Sequence, residues 1–131
     1  MSRFVIDTSA YSHFKRGDAG AVLAISRAKW IGVPTIVLGE LRFGFALGRH
    51  SASNERELDA FLEHPVVDVI DVDEEVATIW SEIMVALRDA GTPVPTNDAW
   101  IAAVAAHTGA PVLTYDEHFE SIDRICVRLL A

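Results

Sequence analysis

Residues 4–11 read FVIDTSAY. Three apolar residues, Phe4, Val5 and Ile6, stop at an aspartate, and two hydroxyl residues follow. A short unbroken apolar run is the mark of a strand buried on both faces. Asp7, Thr8 or Ser9 offers the side-chain oxygen that caps a helix start. The stretch therefore predicts a buried strand that turns directly into a helix, and it leaves one question. Asp7 is either a cap or one wall of a metal site, and partners elsewhere in the chain must decide between them.

Strand and helix patterns alternate downstream. SAYSHFK (9–15) and AVLAISRAK (21–29) read as helices divided at Gly17. WIGVPTIV (30–37) carries a short strand limited by Pro34, and a helix runs through VLGELRFGFAL (37–47). NERELDAFLEH (54–64) is a helix stopped by Pro65, and VVDVIDV (66–72) is a β-branched strand. In DEEVATIWSEIMVALRDAG (73–91), Val76, Ile79, Trp80, Ile83, Met84 and Leu87 follow the i, i+3, i+4, i+7 stripe up to Gly91. NDAWIAAVAAHTG (97–109) is a helix apolar nearly all round, ending at Gly109. PVLTY (111–115) and ICVRLL (125–130) are the last strands. Strands separated by helices predict parallel crossovers, hence an α/β sheet with helices on both faces.

The length, 131 residues, predicts a single domain, 1–131. Half of the residues are hydrophobic and 23% are charged, which excludes a disordered chain. No apolar run is long enough to span a bilayer, and no signal peptide precedes the first strand, so a cytoplasmic location is expected. One cysteine, Cys126, excludes an internal disulfide and a thiolate metal cluster; it is expected to be a buried small hydrophobe. The net charge of −8 repels nucleic acid in general. It does not exclude an enzyme that meets phosphate through metal ions, for which the protein must supply carboxylates.

In parallel sheets ligands bind outside the carboxyl ends of the strands. Asp7 leaves the first strand there, and Asp116 follows the strand Val112–Tyr115. Glu40 has Ile36, Val37, Phe43, Gly44 and Leu47 as its helical neighbours. A carboxylate on such a stripe is costly unless paired or metal-bound. Arg42 and Arg49 are its candidate partners, although Arg42 is only two residues away and points elsewhere. Asp98 opens a helix, where an acid also suits the dipole, and Ile101, Ala102 and Ala105 follow it on the buried face. Four carboxylates converging without a cation would repel one another and hold their protons more tightly. An all-oxygen set suits Mg²⁺ or Mn²⁺, which orient a water, acidify it and hold a phosphate.

The order VIDTSA, GELRFG, NDAWIAAVAAHTG and VLTYDEHF resembles the PIN-domain ribonucleases, and among them the VapC-type toxins of toxin–antitoxin pairs. The likeness spans essentially the whole chain. Its specific part is Asp98 with Ile101-Ala102-Ala103, then Leu113-Thr114-x-Asp116 with Phe119. The resemblance implies a PIN-like three-layer fold with sheet order 3-2-1-4-5. It implies that Asp7, Glu40, Asp98 and Asp116 bind Mg²⁺ or Mn²⁺ and form an endoribonuclease. Thr8 and Ser9 would line the rim, Asn97 would flank the third acid, and Thr114 would offer its hydroxyl to the carboxylates. It further implies a structured RNA substrate (tRNA or rRNA), a cognate antitoxin and a homodimer. PIN nucleases of RNA processing and a catalytically silent partner-binding module on the same fold are the alternatives.

Rival chemistries lack their residues. A haloacid-dehalogenase-like phosphatase needs a second aspartate where Ser9 stands. A receiver domain needs a late lysine, and none follows Lys29. No Gly-rich turn follows the first strand, which counts against flavodoxin-like nucleotide binding. The five histidines, 13, 50, 64, 107 and 118, show no metal-ligand spacing and read as surface or packing residues, with His118 near enough to Asp116 to reach substrate. Trp30, Trp80 and Trp100 read as core or interface. Lys15, Arg16, Arg42 and Arg49 are candidate phosphate contacts. Phe43, Phe45 and Leu47 exceed what one buried stripe needs, which points to a partner surface.

Overall fold

The computed structural model describes residues 2–131. Phe4, Val5 and Ile6 are all buried, although successive strand residues point to opposite faces. Their strand, β1 (Arg3–Ile6), is therefore covered on both sides and lies at the centre of the sheet. Around it the chain forms α1 (Thr8–Lys15), α2 (Ala19–Arg27), β2 (Trp30–Pro34), α3 (Thr35–Leu47), α4 (Ser51–Leu62) and β3 (Val67–Ile70). Then follow α5 (Glu74–Ala90), α6 (Thr96–Thr108), β4 (Val112–Thr114), a 3-10 helix (Glu117–Ser121) and β5 (Val127–Leu129). The order is β3-β2-β1-β4-β5, every pair parallel. This is the α/β, PIN-like sheet order 3-2-1-4-5 that the resemblance implies.

Element ends follow from local chemistry. Asp7 donates its backbone N–H to Leu113, as a strand residue does, while its carboxylate accepts the N–H of Ala10 and starts α1. Pro34 is tolerated inside the sheet because the β1–β2 register, extended by two residues from Val5↔Gly32, puts the departing Asp7 opposite it. On its other side Pro34 still pairs with Ile70. Gly91 (φ 69°) and Gly109 (φ 75°) end α5 and α6 in the left-handed region, where a side chain would be strained. The buried alanines of α6 let it pack closely against α5 and β1. Trp80 and Trp100 stack across the α5–α6 contact, ring centroids 4.5 Å apart and planes 8° from parallel.

Several local expectations are corrected. The helix read as 54–64 begins at Ser51. The strand read through Tyr115 ends at Thr114, because the Tyr115 N–H turns to the Ser9 hydroxyl. The 3-10 helix has no counterpart in the sequence reading. Cys126 is exposed rather than buried: it directly precedes β5, an edge strand with no buried residue. The stripe around Glu40 is only partly covered, since Phe43 is 68% and Leu47 75% exposed on the free end of α3. No helix among the described residues is long and apolar enough to cross a membrane.

Candidate active site

Four elements deliver the four acids. Asp7 closes β1, Glu40 lies in the middle of α3, Asp98 in the first turn of α6, and Asp116 heads the 3-10 helix after β4. Glu40, Asn97, Asp98, Asp116 and His118 line one open cleft of about 460 Å³ with Pro95 and Thr96. Ligand atoms of Asp98, Asp116 and His118 lie within 4.8 Å of one another. Asp7 is 4% exposed and sits beneath this cluster rather than on the cleft wall.

Asp7 is a cap, and it is more than a cap. Oδ1 accepts the Ala10 N–H at 2.9 Å, and Oδ2 accepts the Thr114 hydroxyl at 2.6 Å. The Ser9 hydroxyl lies 2.8 and 2.9 Å from the two oxygens and donates to them. Both hydroxyls are used twice. Ser9 accepts the Tyr115 N–H at 3.1 Å, and Thr114 accepts the Asp116 N–H at 2.8 Å. The end of β1 is thereby tied to the turn that carries Asp116. Burial pushes the Asp7 carboxyl above its usual range; the bonds from Thr114, Ala10 and Ser9 work against that, and the charge of Asp116 adds to it.

Glu40 is held from both sides: the Thr8 hydroxyl donates to Oε1 at 2.6 Å, and the Asn97 amide to Oε2 at 3.4 Å. Arg42 does not pair with it and instead bonds Glu55 and Asp59 of α4. Lys15 likewise pairs with Glu57, so neither is an unpaired cation for phosphate. Asp98, 16% exposed, has its carboxyl pushed up to about 6, first by burial and then by the charges of Asp116, Asp7 and Glu40; His118 opposes the shift. The charges of Asp116, Asp7 and Glu40 all act on Asp98, although Asp7 and Glu40 stand outside the closest cluster.

His118, read from the sequence as a surface or packing residue near enough to Asp116 to reach substrate, is exposed and lines the cleft. Its Nδ1 lies 2.9 Å from Asp116 Oδ1 and 3.7 Å from Asp98 Oδ2. The available signal was the Asp-x-His spacing after a strand: in a tight turn Asp116 accepts the His118 N–H at 2.9 Å, which brings the imidazole back over the carboxylate. His13 stacks on Tyr115 at 3.8 Å, packing α1 against the same turn.

The donor set fits a hard divalent cation. Asp98, Asp116 and Glu40 present carboxylates to one cleft, no Lys or Arg among the described residues lines it, and the charges of Asp116, Asp7 and Glu40 add to burial in raising the Asp98 carboxyl. An acid-lined cleft at the carboxyl edge of a parallel sheet, with no phosphate loop after β1, defines a class suited to cation-assisted chemistry on a phosphate ester. The chain belongs to the PIN domain family, whose family model matches residues 4–125. It is 30% identical over 120 residues to Ribonuclease VapC5 of Mycobacterium tuberculosis, covering 91% of this chain and 87% of that protein. It is 33% identical over 91 residues to Ribonuclease VapC4 of the same organism, 70% of each chain. Among solved structures, DNA-bound VapBC from Salmonella typhimurium has a chain that superposes with a TM-score of 0.85 at 25% identity, covering 98% of both.

Proposed function

We propose that this chain is a Mg²⁺- or Mn²⁺-dependent endoribonuclease, the toxin of a VapBC-type pair, which cleaves structured RNA (tRNA or rRNA) in the cytoplasm. The observation that carries the reading is the convergence of Glu40, Asp98 and Asp116 on one cleft above the buried Asp7, with Asp98 raised to about 6 first by burial and then by its acidic neighbours. The names of the VapC ribonuclease relatives support the activity.

Asp7, Glu40, Asp98 and Asp116 are the catalytic and metal-holding acids of this reading. A divalent ion, when bound, supplies Lewis-acid activation of water and of the scissile phosphate. The chain's own residues supply orientation. Ser9 and Thr114 hold both oxygens of Asp7 in one rotamer, and Thr8 and Asn97 hold Glu40, so the carboxylates do not reorganise when substrate arrives. In-line attack by water leaves a 5′-phosphate and a 3′-hydroxyl. Purified protein should cut an RNA pool with Mn²⁺ and stop in excess EDTA. Cleavage that continues unchanged in EDTA overturns the reading.

The toxin role brings a protein partner. VapBC-5 of Mycobacterium tuberculosis, which has a chain of this fold, is a member of the VapBC family of toxin–antitoxin systems, and the exposed Phe43 and Leu47 give this chain an apolar face on α3 beside Glu40. A cognate antitoxin covering that face, in an assembly that includes a homodimer, fits both facts. A monodisperse monomer in light scattering, with no neighbouring gene product that suppresses toxicity, would count against it.

A further inference from the structure

We infer that His118 contributes an imidazole nitrogen to the cation site and biases it towards a first-row transition ion, Mn²⁺ over Mg²⁺. The inference rests on the proposed metal-dependent reading of the same cleft. Three observations carry it.

The first is distance. His118 Nδ1 is 2.9 Å from Asp116 Oδ1 and 3.7 Å from Asp98 Oδ2. Metal–ligand distances of about 2.1 Å put neighbouring ligand atoms of a six-coordinate ion about 3 Å apart. The three groups are thus already spaced as neighbours around one ion, with modest closure at Asp98. The second is composition. His118 is the one basic side chain among the described residues that line the cleft; every other ionisable group there is a carboxylate. The third is placement. The backbone N–H of His118 and its Nδ1 both meet Asp116 Oδ1, so the turn that positions the carboxylate positions the imidazole with it.

The chemistry follows from ligand type. Carboxylates alone serve Mg²⁺ and Mn²⁺ with little discrimination, whereas imidazole nitrogen binds first-row transition ions well and Mg²⁺ poorly. Nδ1 lies 2.9 Å from Asp116 Oδ1 on a side chain 57% exposed, so its lone pair would be free for an ion held beside that carboxylate in the Nε2–H tautomer.

The test is pulsed electron paramagnetic resonance of Mn²⁺ bound to the full chain, with Mn²⁺ and Mg²⁺ affinities from calorimetry. The parent should show ¹⁴N modulation of the Mn²⁺ signal. His118→Ala should abolish it and lower the Mn²⁺/Mg²⁺ affinity ratio about tenfold or more. His118→Asp, which restores an all-oxygen set, should recover Mg²⁺ binding without the nitrogen signal. Melting in EDTA should be alike for the parent and His118→Ala, since the side chain is exposed, and lower for His118→Asp, which adds a like charge beside Asp116. Mn²⁺ binding without nitrogen modulation, or an unchanged ratio in His118→Ala, overturns the assignment of His118 while leaving the metal-dependent reading standing if RNA cleavage still stops in EDTA. Absence of binding by either ion overturns both.

Discussion

Thr114 donates its hydroxyl hydrogen to Asp7 Oδ2 over 2.6 Å, joining the ends of two adjacent parallel strands that lie 107 positions apart in the chain. The Thr114 hydroxyl oxygen in turn accepts the N–H of Asp116. One hydroxyl thus fixes the geometry between two acids. Thr114→Val should strand the Asp116 N–H and deprive the buried Asp7 of its shortest bond. A loss of about 1–3 kcal/mol in urea unfolding is expected, with Thr114→Ser recovering most of it. A valine variant as stable as the parent would show that the bond is incidental.

Asp7→Asn keeps a capping oxygen for Ala10. Nuclease activity should nevertheless fall by more than the roughly 10–100-fold that loss of a supporting group costs at a metal site. In EDTA the variant should melt at or above the parent's temperature, because the ionised Asp7 is disfavoured by burial and by Asp116. Mg²⁺ or Mn²⁺ should raise the parent's melting temperature and the variant's much less. Full activity in the variant would reduce Asp7 to a cap.

The pH dependence of stability has a definite sign. Asp98 holds its proton up to about 6 in the folded chain, against an ordinary value of 3.8. Between those values the native state binds more protons than the unfolded state, so stability falls as pH rises. The contribution is fully present below about 4 and lost as pH passes 6; Asp7 acts in the same direction. In EDTA, calorimetric melting temperatures should therefore drop from pH 4.5 to 7, reflecting a loss of unfolding free energy on the order of 1–3 kcal/mol for Asp98. Asp98→Asn should remove most of that dependence. Metal affinity should move oppositely, weakening as pH falls through 6. A parent whose stability rises over that interval in EDTA would refute the assignment.

Phe43→Ser and Leu47→Ser should leave stability within about 0.5 kcal/mol of the parent, because both side chains are exposed. Co-purification with the antitoxin should be lost. Retained association, read by size-exclusion chromatography, would place the partner on another face.

Gly32→Ala probes the sheet itself. A Cβ there would lie 2.5 Å from the Trp30 indole, which donates Nε1 to Asp68 at 2.7 Å and lies beneath the Arg3 guanidinium. The ring must swing away and give up both contacts. A cost of about 1–3 kcal/mol and a shift in tryptophan fluorescence are expected; a neutral substitution with unchanged emission would mean the ring is not held as described.

Much of the fold was legible from local chemistry. Phe4–Ile6 predicted a doubly covered strand because no polar residue interrupts it, and the α5 stripe with Gly91 predicted a helix and its end. The parallel α/β class followed from alternation alone. What failed was environment. Cys126 looked buried because its neighbours are apolar, yet an edge strand leaves it exposed. Glu40 looked embedded because its helix is apolar, yet the far end of α3 projects into solvent, and Arg42 had a carboxylate of α4 to meet.

The sequence by itself determined which residue types stand at the carboxyl ends of the strands, since strand length and capping are settled within a few residues. It also determined the net negative charge that makes a cation the natural partner. Only the tertiary structure decided how these residues meet. Thr8 turns to Glu40 across 32 positions and Thr114 to Asp7 across 107, contacts that no local spacing encodes. It likewise decided that His118 joins the acids, because a 3-10 turn folds its imidazole back over Asp116. Propensity acts over one turn of chain, whereas carboxylate repulsion, burial and hydroxyl orientation depend on distances that exist only once β1 and β4 lie side by side.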